Sequence, residues 1–75
     1  MKLSERYYEV IDLMGGRATI KAMRAEMETM GWPGITNSSV YIVFKRLRTQ
    51  GKIRLMKDGY YVTDKWLKNQ EDSYI

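Results

Sequence analysis

Six cationic side chains, Lys45, Arg46, Arg48, Lys52, Arg54 and Lys57, fall between residues 37 and 57 with no carboxylate among them. Residues 1–36 carry five basic and five acidic side chains, and residues 58–75 carry two basic and four acidic. The whole net charge of +4 therefore originates in one segment. Uncompensated lysines and arginines neutralise phosphates and release their counterions, which is the chemistry of binding an anionic polymer. Ser38 and Ser39, just ahead of the cluster, can hydrogen-bond to a phosphate or a base edge. Ile42, at helical spacing from Ser38, Lys45 and Thr49, can contact a thymine methyl group.

Bond-making chemistry has little to work with. The chain has neither histidine nor cysteine, which removes the commonest general base, the commonest metal ligand, thiolate metal sites and disulfides. It has no glycine-rich phosphate loop and no carboxylate pair on an obvious inward face, and Gly15-Gly16 reads as a helix stop. The sequence predicts no enzyme, no cofactor and no metal. Its 75 residues suit one small domain, and 44% hydrophobic residues can supply a core. No apolar run approaches the roughly 18 residues that span a membrane. The start, Met-Lys-Leu-Ser-Glu-Arg, turns charged where a signal peptide turns apolar. A cytoplasmic, nucleoid-associated protein is the expectation.

The elements that must position these residues follow from periodicity. Leu3, Tyr7, Val10, Ile11 and Met14 predict a helix over 4–14, capped by Ser4 and ended by Gly15-Gly16. Ile20, Met23, Met27 and Met30 predict a second helix, capped by Thr19 and stopped by Gly31 and the Trp32-Pro33-Gly34 turn. A third is expected over 37–50, capped by Thr36 or Asn37 and ended by Gly51. At about 100° per residue, Val40, Val43, Phe44 and Leu47 share its inner face, while Ser38, Ile42, Lys45 and Thr49 share the outer one. Tyr41 and Arg48 flank that outer face on one side, Ser39 and Arg46 on the other.

Asp58-Gly59 between two alternating runs predicts a hairpin with a two-residue turn. Lys57 then pairs with Tyr60, Met56 with Tyr61 and Leu55 with Val62. This register puts Ile53, Leu55 and Val62 on the core face and Arg54, Met56 and Tyr61 outside. Thr63 or Asp64 would cap a short last helix holding Trp66 and Leu67, followed by a polar tail, 69–73, that frays. The expected fold is mainly α with a small β-hairpin: a three-helix core, a two-stranded wing and a short C-terminal helix. The single domain covers 1–75, with its core at 3–67 and a polar tail at 68–75.

The stretch Val40-Tyr41-Ile42-Val43-Phe44-Lys45-Arg46-Leu47-Arg48-Thr49-Gln50-Gly51-Lys52-Ile53 resembles the recognition helix and first wing strand of PadR-like and MarR-like regulators. Those families repeat an apolar-Tyr pair, then Leu-Lys-Arg-Leu, then Gly-x-Ile. Asp58-Gly59-Tyr60-Tyr61-Val62-Thr63 is similar to their wing turn and second strand. The resemblance spans residues 18–63 and implies a winged helix-turn-helix. It departs in the Trp32-Pro33-Gly34 turn and in the long dimerisation helices of those families, which have no counterpart in this sequence. A ligand-sensing repressor therefore does not follow from it.

On this reading the third helix enters a major groove, with Ser38, Ser39, Tyr41, Ile42, Lys45, Arg46 and Arg48 facing DNA. Lys52, Arg54 and Lys57 grip the backbone from the wing, and Arg17 and Lys21 hold a phosphate near the start of the second helix. Blander roles compete: Ile42 packing on a partner or on the Trp32 turn, Tyr41 half in the core, Arg46 and Arg48 as a solvated face. Met56, Tyr61 and Trp66 could form a partner surface, with homodimerisation through Trp66 and the terminal helices, or Trp66-Leu67 could fold back on the first helix. The leading expectation is a sequence-specific reader of double-stranded DNA. It would be a small transcriptional regulator, such as a prokaryotic or viral repressor, acting by occupancy. The alternatives are a winged-helix protein-interaction module or inhibitor, and an excisionase-like architectural DNA-binding protein.

Overall fold

The computed structural model describes residues 2–72. In chain order its elements are α1 (Leu3–Leu13), β1 (Arg17–Ala18), α2 (Ile20–Thr29), α3 (Asn37–Thr49), β2 (Ile53–Leu55), β3 (Tyr61–Thr63) and α4 (Asp64–Asp72). The chain is mainly helical, with a small antiparallel sheet in the order β1-β3-β2. Ser73 to Ile75, where the expected tail ends, lie outside the described residues.

Local chemistry sets the helix ends. Thr36 Oγ1 accepts the Ser39 backbone N–H at 3.1 Å, and Ser39 Oγ accepts the Thr36 N–H at 3.0 Å. This reciprocal box satisfies donors that the first turn of α3 would otherwise leave open. Thr19 caps α2 by accepting the Ala22 N–H at 3.1 Å. The first three helices end alike. Gly16, Trp32 and Lys52 donate backbone N–H groups to Ile11, Met27 and Leu47, each one residue beyond a glycine at positive φ. The expected start of α1 is corrected. The helix begins at Leu3 with no side-chain cap, and Ser4 lies buried inside it.

The core joins Tyr7, Val10 and Ile11 of α1 to Met23 and Met27 of α2 and to Val40, Phe44 and Leu47 of α3. Each fully buried side chain of this kind contributes roughly 1.5–3 kcal/mol. The inner face expected for α3 is the one observed. Met30 departs from the expected α2 stripe: it sits at the helix C-cap, beyond the last turn that faces the core, and is exposed. Trp32, in the turn before α3, closes that end by standing edge-on to Tyr7, with ring centroids 6.2 Å apart at 88°.

The hairpin register is corrected by one residue. The pairs are Ile53 with Thr63, Arg54 with Val62 and Leu55 with Tyr61. A two-residue I′ turn needs positive φ at both central residues, and Asp58 does not adopt it. Instead Gly59 N–H bonds Met56 C=O at 3.1 Å and Met56 N–H bonds Tyr60 C=O at 2.8 Å, enclosing a three-residue loop, Lys57-Asp58-Gly59. Gly59 (φ 88°) takes the left-handed position that ends such loops. A one-residue slip exchanges the faces. Tyr61 enters the core against Phe44, whereas Val62 lies on the opposite face, flanked in register by Arg17 and Arg54 and still fully buried. Leu55, expected in the core, keeps 40% of its surface exposed at the end of its strand.

Two elements exceed the expectation. β1 adds a third strand, held by Arg17–Val62 and Ala18–Tyr61 pairing. The last helix runs through Asp72 rather than fraying from residue 69. Thr63 Oγ1 caps α4 by accepting the Trp66 N–H at 3.1 Å. Tyr8 donates a short hydrogen bond to Asp64, and Lys65 lies 3.9 Å from Asp12, so α4 is folded back toward α1.

Candidate nucleic-acid interface

With Val40, Val43, Phe44 and Leu47 inside, helical geometry turns Ser38, Ile42, Lys45 and Thr49 outward, and all four are exposed. Ile42 exposes 61% of its surface, so the Trp32 turn does not cover it. Tyr41 is also exposed, at 46%, with Arg46 and Arg48 exposed on either flank. Arg46 and Arg48 lie in the last turn, where cations also favour the negative end of the helix dipole.

Lys52 follows the helix, Arg54 lies on β2 and Lys57 in the hairpin loop, all exposed. Arg54 shares its face of the sheet with Arg17 and Val62, opposite the Phe44 side. The ion pairs join Arg17 to Asp58, Arg24 to Glu28 and Lys65 to Asp12. Among the described residues none of the six cations between 37 and 57 has a carboxylate partner. Six like charges repel one another, and a bound polyanion would remove that cost.

Two candidate residues are engaged within the fold. Ser39 Oγ also donates to Thr36 C=O at 2.8 Å, so the capping box occupies its hydroxyl. Arg17 reaches toward the β2–β3 hairpin and α4: its guanidinium lies 4.3 Å from the centre of the Tyr60 ring, 5.5 Å from that of Trp66 and 3.3 Å from Asp58. Its Nε is buried without a hydrogen-bond partner. The pair offsets the acid in the hairpin loop, though exposed pairs of this sort contribute little stability. Lys21 is exposed in the first turn of α2, and Arg24 pairs with Glu28 at 3.4 Å.

The surface expected from Met56, Tyr61 and Trp66 does not form. Tyr61 is a core residue at 5% exposure, Met56 is half-buried, and Trp66 packs over Gly16. One cation that the sequence reading left aside joins the site. Lys68 lines a groove together with Arg48, Lys52 and Arg54. Its signal was the i, i+3, i+4 spacing of Asp64, Leu67 and Lys68, which a frayed tail would have erased.

Among the described residues no group of three or more carboxylates could hold a metal ion, and no helix is long and apolar enough to cross a membrane. Comparisons with family models, with curated proteins and with solved structures give no match.

Proposed function

We propose that this chain is a winged helix-turn-helix protein that binds double-stranded DNA sequence-specifically and regulates transcription by occupancy. In this reading α3 enters the major groove, the β2–β3 hairpin is the wing, and β1 closes the sheet behind it. Ser38, Ile42 and Lys45 read base edges, with Ile42 against a thymine methyl and Lys45 on guanine or phosphate. Tyr41, Arg46, Arg48, Lys52, Arg54 and Lys57 contact backbone and fix the register. Lys21 adds a phosphate contact from α2. Ser39 and Arg17 act indirectly, the first by capping the reading helix and the second by steadying the wing tip.

The observation that carries this reading is a set of cations, without a carboxylate partner among the described residues, around an outward-facing isoleucine. A solvated helix face normally mixes charge signs at i, i+4, and the only charges on the outer face of α3 are cations. The test is binding of Ile42→Ala and Lys45→Glu variants to a DNA site selected by the wild-type chain. Both should fold, and the double variant should lose the site. Full retention of site binding by the double variant overturns the reading.

A further inference from the structure

The edge strand β2 has a property that DNA binding does not use. Backbone bonds join Asp64 N–H to Lys52 C=O at 3.0 Å and Met56 N–H to Tyr60 C=O at 2.8 Å, with Arg54 opposite Val62 between them. Antiparallel ladders alternate bonded and non-bonded pairs. The N–H and C=O groups of Ile53 and Leu55 therefore point away from β3. Among the described residues no backbone bond reaches them from the open side.

Beside this edge runs a groove of about 690 Å³ between the end of α3, β2 and α4. Arg48, Lys52, Arg54 and Lys68 line it with Leu55 and Leu67, and among the described residues Asp64 is the one acid in its lining. It thus combines an open ladder, a ring of cations and a small apolar floor.

We propose that the groove receives an extended acidic segment of a partner protein, which adds to β2 as a fourth strand. Its backbone would bond the free groups of Ile53 and Leu55. Its carboxylates would meet Arg48, Lys52, Arg54 and Lys68, and an apolar residue between them would rest on Leu55 and Leu67. Charge selects this occupant. A second copy pairing through the same edge would set Lys52 and Arg54 against their own like charges. A nucleic acid can satisfy the cations but has no peptide groups to continue the ladder. Because Arg48, Lys52 and Arg54 are also the cations assigned to the DNA backbone, the docked strand would compete with DNA for them, and the site itself does not depend on DNA binding.

The test titrates a short synthetic peptide alternating glutamate and valine into the isotope-labelled full chain. Amide signals of Ile53 and Leu55 should shift, and their hydrogen exchange should slow by roughly tenfold or more. A peptide with lysine in place of glutamate should produce neither change. Arg54→Glu with Lys68→Glu should abolish binding, and Lys68→Glu alone, at an exposed position, should weaken it. Ile42→Ala should leave it unchanged, which separates this outcome from that of the DNA reading. Binding without protection of the two amides overturns the proposal. So does equal protection by duplex DNA, or protection by self-association without peptide.

Discussion

Tyr61 of β3 stands edge-on to Phe44 of α3, with ring centroids 4.8 Å apart at 67°. This contact ties the β2–β3 hairpin to the helix proposed to read DNA, so the two present their cations as one body. Tyr61→Ala should destabilise the fold by about 3–5 kcal/mol. Leu55→Ala, directly opposite Tyr61 in the ladder but half-exposed, should cost no more than about 1 kcal/mol. Urea unfolding of the two variants checks the difference. The reverse order would contradict the three-residue loop and restore the two-residue hairpin.

Adjacent serines should separate cleanly. Ser39→Ala removes half of the capping box and should cost about 0.5–2 kcal/mol of stability. Ser38→Ala, exposed and outside the box, should leave stability within about 0.5 kcal/mol and weaken DNA binding instead. Melting and titration on the two variants test this together.

Gly15 and Gly16 both take positive φ, at 92° and 83°, but only Gly16 is closely approached. A Cβ there would lie 3.0 Å from Trp66 Cβ and 3.2 Å from Thr63 Oγ1. Gly15→Ala should therefore cost about 1 kcal/mol, the left-handed backbone alone. Gly16→Ala should cost at least about 2 kcal/mol, because the α4 cap must also move. Equal losses would mean that α4 does not dock where Trp66 meets Gly16.

Burial raises the Tyr8 hydroxyl above its ordinary value of 10.0, aided by its hydrogen bond to Asp64 and by the charges of Asp64 and Asp12. The folded chain then holds a proton that the unfolded chain releases. This stability is fully present below pH 10 and declines as pH rises beyond it. Tyr8→Phe removes both the bond and the titration. Its melting temperature should be lower at neutral pH and should fall less steeply above pH 10, as thermal melts across the alkaline range will read.

The helices were legible wherever burial follows the helical period. Val40, Val43, Phe44 and Leu47 announce the inner face of α3, and that face dictates which residues remain outside. The hairpin register was not legible, because Asp58-Gly59 serves two loop geometries. The Phe44 ring waiting for Tyr61, a tertiary partner, distinguishes them. β1 escaped because two residues cannot display an alternation; it exists only through its pairing with β3. The Arg17 contacts to Tyr60, Trp66 and Asp58 depend on that missed strand, as does the removal of Arg17 from the open cationic face. The run of cations needed no fold to be seen, since the absence of acids between residues 37 and 57 is a property of the sequence itself.

Selection from randomised duplex DNA, followed by a salt titration on the enriched site, tests the central claim most directly. One motif should emerge, and log affinity should fall linearly with log salt, with a slope near −0.9 for each phosphate contact. Lys57→Gln should reduce that slope by about 1, and Ile42→Ala should cost about 1–3 kcal/mol at a single position of the site. No enriched motif, with only weak binding that vanishes near physiological salt, would contradict the account.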